Sequence, residues 1–106
     1  MTLALKGPLA CLYLAFPETL EEEIIDHCHE TPDLPGFTIV TAAGFGRGAK
    51  LHSDSETVLG RARRRLLLVV AAPPVLQNLI SSLREALPTP DVAYWIIPVA
   101  EFGWLL

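Results

Sequence analysis

The chain has 106 residues, of which 51% are hydrophobic and 19% charged, with a formal net charge of −4 at pH 7. That composition fits one domain with a real core and argues against an intrinsically disordered chain. Residues 47–65 nevertheless carry Arg47, Lys50, Arg61, Arg63, Arg64 and Arg65 against Asp54 and Glu56, a local +4 that leaves about −8 elsewhere, so general nucleic-acid coating is excluded in favour of a specific anionic ligand or partner.

The elements follow from apolar runs and their punctuation. Residues 9–16 are an unbroken apolar run and predict a strand, which Pro17 ends. Glu18-Thr19 opens a helix whose first turns hold Glu18, Glu21, Glu22 and Glu23, complementing the helix dipole. Leu20, Ile24 and Cys28 recur at helical spacing, with Ile25 beside them, and form its inner stripe. Pro32 and Pro35-Gly36 stop this helix and start a second strand through Phe37-Thr38-Ile39-Val40-Thr41-Ala42-Ala43. It runs into Gly44-Phe45-Gly46-Arg47-Gly48, after which residues 46–60 read as loop.

Residues 61–72 predict the third strand, opening with Arg61, Arg63, Arg64 and Arg65 and continuing through Leu66-Leu67-Leu68-Val69-Val70. Pro73-Pro74 fits the first turn of a second helix, where a missing N–H matters little. Val75, Leu76, Leu79, Ile80 and Leu83 supply its inner face. Pro88-Thr89-Pro90-Asp91 is a turn, and residues 92–99 predict the fourth strand. The order β-α-β-β-α-β is the ferredoxin-like α+β plan: an antiparallel four-stranded sheet with two helices on one face, in a single domain spanning residues 1–106.

The first and fourth strands are apolar on both faces: Leu9/Cys11/Tyr13/Ala15 and Ala10/Leu12/Leu14/Phe16, then Val92/Tyr94/Ile96 and Ala93/Trp95/Ile97. A face that met water would alternate with polar residues. Two helices cover only one face, so a closed symmetric oligomer is expected to cover the other.

Cys11 and Cys28 are too few for a disulfide framework, residues 1–7 lack the features of a secretion signal, and no charge-free apolar run approaches the roughly 18 residues of a membrane span. A cytoplasmic chain with reduced thiols and no membrane insertion is expected. No serine triad, CxxC pair, Walker loop or paired buried carboxylate is recognisable, so the chain is not expected to be an enzyme.

The glycines around Arg47 suit an anion, because glycine lets backbone N–H groups approach it closely. The bland alternative is a strand exit that needs glycine for its own turn. Arg63 and Arg65 share a strand face and Arg64 takes the other; each arginine fits a phosphate as well as a neighbour's carboxylate. His27-Cys28-His29 lies on the first helix, where consecutive side chains point about 100° apart and do not converge on one ion. His27 with Glu23, or His29 with Asp26, offers two legs of a surface metal site, to which His52 adds little. Cys28 belongs to the apolar stripe and is expected in the core.

Gly36-Phe37-Thr38 followed by Gly44-Phe45-Gly46-Arg47 resembles the PII superfamily of trimeric signalling proteins and their CutA-like relatives. Leu34-Pro35-Gly36-Phe37, the Arg-rich third strand and residues 94–103 further resemble a small proteobacterial PII-like family without assigned function, often associated with heavy-metal efflux systems. The resemblance implies a homotrimer that binds an adenine nucleotide (ATP, ADP or AMP) in clefts between subunits. It also implies that the 46–60 segment, as the family's mobile T-loop, docks on a partner such as a membrane transporter or efflux component. Carried over by motif, Gly44, Gly46 and Arg47 line the phosphate-facing mouth, Thr38 sits nearer the base, and Arg63 and Arg65 add basic groups. The family's Gly-Asp-Gly-Lys turn is replaced here by Pro88-Thr89-Pro90-Asp91, the basic tail by an apolar one, and no tyrosine lies between Gly46 and Gly60, so uridylylation is not expected. Two alternatives stand beside this reading: a CutA-like metal-binding accessory using His27 and His29, and a ligand-free protein-interaction adaptor.

Overall fold

In the computed structural model of the chain, the described residues are 7–44 and 62–106. Strand β1 spans Leu9–Pro17 and leads through a 3-10 turn, Glu18–Leu20, into helix α1, Glu21–Glu30. Strands β2 (Thr38–Gly44) and β3 (Ala62–Ala71), helix α2 (Pro73–Ala86) and strand β4 (Ala93–Val99) complete the order. The four strands form one sheet in the order β2-β3-β1-β4, with every neighbouring pair antiparallel. This is the predicted ferredoxin-like arrangement.

The first helix differs from its predicted start. Pro17 leaves the strand extended, and the Glu21 N–H then bonds the Glu18 carbonyl in a tight turn before the α-helix begins. Short 3-10 turns are common at helix starts, where the first N–H groups have no partner one turn back. Glu21, Glu22 and Glu23 lie in the first α-helical turn, as expected for the dipole. The helix ends at Thr31, whose hydroxyl donates to the His27 carbonyl at 2.7 Å. In the following turn Asp33 adopts φ 63°, a left-handed conformation that aspartate tolerates better than most residues.

The core lies between the helices and one sheet face. Leu12, Leu14 and Phe16 of β1 meet Leu67, Val69 and Ala71 of β3 beneath Ile24 and Cys28 of α1 and Leu76, Leu79, Ile80 and Leu83 of α2. Cys28 is buried there as expected, and burial pushes its thiol up to about 11. Pro73 and Pro74 occupy the start of α2, and the N–H groups of Val75 and Leu76 both donate to the Ala72 carbonyl. Both proline nitrogens thus fall where a helix has donors to spare.

The strand register fixes the composition of the other face. Cys11 pairs with Val70 and Ile97, Tyr13 with Leu68 and Trp95, and Leu66 with Val40. Directly opposite residues share a face, so these side chains line the side away from the helices. Val40, Trp95 and Ile97 are exposed there, and the Tyr13 and Trp95 rings stack with centroids 5.4 Å apart and planes 6° from parallel. The described chain thus leaves Val40, Trp95 and Ile97 of this apolar face exposed, while Phe102 and Trp104 line a hollow beside Cys11 and Leu68.

Candidate functional site

One end of the sheet gathers Arg63, Arg64 and Arg65, three of the six basic groups singled out above. Gly44, the last residue of β2, pairs with Ala62, Ala43 with Arg63, Ala42 with Arg64 and Thr41 with Arg65. On the far side of β3, Arg64 pairs with Pro17, and β4 begins opposite Ala15. The exits and entries of all four strands therefore meet here.

Alternation sends the arginines to opposite faces, as expected. Arg65 points to the helix side, where its Nε donates to Glu21 Oε1 at 2.9 Å and its Nη1 lies 3.5 Å from Glu18 Oε2. Arg63, on the same face, has Nη1 3.8 Å from Glu18 Oε1. The 3-10 turn positions both acids: it brings Glu18 and Glu21 back over the strand that carries the arginines. Arg63 and Arg65 are therefore engaged within the chain.

Arg64 takes the open face and is 93% buried (7% exposed). Its Nη2 donates to the Asp91 carbonyl at 2.8 Å, while its Nη1 has no hydrogen-bond partner among the described residues. Burial pushes this guanidinium below its ordinary value, and the Asp91 carboxylate opposes the shift. The turn that presents Asp91 is internally bonded: Thr89 N–H donates to the Leu87 carbonyl, and the Asp91 N–H to Thr89 Oγ1 at 3.1 Å. Alternation marked Arg64 as facing away from its neighbours, but only the fold shows that it crosses to the turn before β4.

The other expected residues are dispersed. Thr38 pairs with Leu68 at the opposite end of β2, on the open face, so the structure does not bring it to Arg63 and Arg65. It shares a hollow of about 310 Å³ with Cys11, Leu68, Phe102 and Trp104. Gly46, Arg47 and His52 lie outside the described residues, as does the 46–60 segment. His27 and Ser82 join the two helices through a 2.6 Å Nδ1···Oγ hydrogen bond, and His29 meets the Phe37 ring edge-on at 5.6 Å. Among the described residues no group of three His, Cys, Asp or Glu side chains is placed to hold a metal ion.

The family described as protein of unknown function (DUF3240) matches residues 6–106. The chain belongs to this family. No curated protein matches the sequence. The structure of a DUF3240 family protein from Shewanella baltica OS155 superposes with a TM-score of 0.76 at 20% identity, covering 95% of this chain and 100% of that one. CPII from Thiomonas intermedia K12, a nitrogen regulatory PII-like protein solved with ADP, AMP and bicarbonate, gives 0.67 at 15% identity, covering 88% of this chain and 91% of that one. The Bacillus subtilis GlnK–ATP complex gives 0.67 at 12% identity, with 92% and 86% covered. This DUF3240 protein therefore has the PII-like fold that its glycine and arginine motif resembled. Among the described residues no helix is long and apolar enough to cross a membrane.

Proposed function

We propose that this DUF3240 protein is a non-enzymatic, PII-like regulator that binds an adenine nucleotide in clefts between the subunits of a trimer. The observation that carries this reading is Arg64: a guanidinium buried at the sheet end where β2 exits and β4 begins, held at the Asp91 carbonyl, with Nη1 lacking a hydrogen-bond partner among the described residues. A buried donor without an acceptor is costly, and an anion at this point would satisfy it. Gly44, Gly46 and Arg47 form the rest of the mouth in this reading, with Thr38 deeper along the open face. Arg63 and Arg65 already face Glu18 and Glu21, so a phosphate would compete with those acids for them. The apolar open face supports the assembly, since a second and third copy would cover it. Nucleotide solved in CPII and GlnK, which share the fold, supports the choice of ligand. Bound nucleotide controls the docking of the 46–60 segment on a partner, a membrane transporter in the fullest form of the reading.

Calorimetric titration with ATP, ADP and AMP tests it. Saturable binding near one nucleotide per subunit is expected, abolished by Arg47→Ala and weakened about tenfold or more by Arg64→Ala, the loss of a charge-assisted contact. Absence of nucleotide binding to the wild-type protein, or wild-type affinity in Arg47→Ala, overturns the site. Zinc or copper binding in place of nucleotide would move the function to His27 and His29.

A further inference from the structure

A second concavity lies on the helix side of the sheet, at the same end as Arg63, Arg64 and Arg65 but lined by none of them. It is a cleft of about 340 Å³ between the C-terminal turn of α2, the turn at Pro88–Pro90 and the start of β4. Its floor is apolar and drawn from three elements: Leu14 of β1, Ile24 of α1, and Ile80 and Leu83 of α2, all buried. Its outer wall is Leu87, Pro88, Pro90 and Val92. That size falls at the lower end of the roughly 300–1,000 Å³ typical of small-molecule pockets.

The cleft is held open by built structure. The Leu87 N–H closes α2 onto the Leu83 carbonyl at 2.7 Å, and the next turn is pinned by Thr89 N–H to Leu87 and by Val92 N–H to Thr89. With the two proline rings stiffening the segment between, the wall does not collapse onto the floor.

The rim is polar at one place. Arg84 reaches from α2 across to β4, its Nη2 donating to the Tyr94 hydroxyl at 3.0 Å and its Cζ 5.9 Å from the centre of that ring. Tyr94 accepts in this bond, so its own O–H proton remains free to donate. Arg84 has further N–H donors, and no carboxylate lines the cleft. The exposed rim thus presents a positive charge and two kinds of donor, and no carboxylate among the described lining residues answers them.

We propose that this cleft binds a small amphiphilic carboxylate, its apolar body on Leu14, Ile24, Ile80 and Leu83 and its head group held by Arg84 and Tyr94. The fork of a guanidinium matches a planar carboxylate, and the phenol supplies a third donor beside it. The proposal rests on Arg84, Tyr94 and the apolar floor, and does not depend on nucleotide binding beside Arg64 at the same sheet end.

Octanoate and uncharged octanol are the probes, followed by methyl NMR of the full chain. Octanoate is expected to saturate with shifts at Ile24, Ile80 and Leu83, and to bind about tenfold tighter than octanol. Arg84→Met, an exposed position where an apolar stem is retained, should erase that preference while leaving octanol affinity unchanged. Tyr94→Phe, which removes only the hydroxyl, should reduce it in part. Leu87→Trp, filling the cleft from its rim, should abolish both. Equal affinity of the two probes for the wild type overturns the proposal. So do shifts confined to open-face residues such as Leu68 and Ile97, or an unchanged octanoate preference in a folded Arg84→Met protein.

Discussion

Arg65 and Glu21 meet at 2.9 Å while each keeps part of its surface in water, at 24% and 35% exposure. Their coupling should be modest: a double-mutant cycle of Arg65→Ala and Glu21→Gln in denaturant is expected to return about 0.5–1 kcal/mol. A coupling near zero would mean the pair orients β3 without stabilising it. Cys28 behaves differently because nothing opposes its burial. Its folded-state value of about 11 lies above the ordinary 9.0, so the folded protein holds the thiol proton more tightly than the unfolded chain does. Stability from this group is therefore complete below pH 9 and is lost progressively between pH 9 and 11, by about 2–3 kcal/mol in all. Thermal melts across that range should show the fall, and Cys28→Ala should flatten it. The histidines beside Cys28 show where residue types stop being informative. His27 reaches Ser82 on the other helix and His29 reaches Phe37, and neither neighbour is near in sequence. Likewise, the alternation of Arg63, Arg64 and Arg65 was legible, but which acid or carbonyl each one meets depends on how the turn at Glu18 folds back.

The elements were the most legible level, for a physical reason. Each strand is a short apolar run closed by proline, glycine or charge, and α2 repeats its apolar residues at helical spacing behind two prolines. Its inner face was therefore set by period alone: Leu76, Leu79, Ile80 and Leu83 are buried and Gln77 is exposed. Leu79→Ala should accordingly cost about 2–5 kcal/mol, whereas Gln77→Ala should stay within about 0.5 kcal/mol of wild type, both measured by denaturant unfolding. Comparable losses at the two positions would mean the helix is not seated as described. The 3-10 turn was not legible, since Glu18-Thr19-Leu20 has a composition equally suited to a regular first turn. The cleft beside Arg84 was not legible either. It arises where α2, a proline turn and an edge strand fail to close on each other, and no local pattern encodes that failure.

For the whole molecule the doubly apolar strands were the decisive signal, because an uncovered face of Val40, Trp95 and Ile97 needs something laid against it. Ile97→Glu places a charge in that face and is expected to convert the proposed trimer to monomers in native mass spectrometry while far-UV circular dichroism stays unchanged. Nucleotide affinity should fall with it if the clefts lie between subunits. An intact trimer carrying Ile97→Glu would remove the open face from the interface.

The strand order also sets a timetable. β1 is central, yet both of its neighbours, β3 and β4, come later in the chain: Leu12 sits between Val69 and Ile96. At about 5–20 residues per second of synthesis, a strand apolar on both sides waits seconds for its partners. During that wait it has unpaired edges and unburied surface, the conditions under which nascent chains associate with one another. The strand order that leaves β1 waiting thus makes association during synthesis the step at which this chain is most exposed to error.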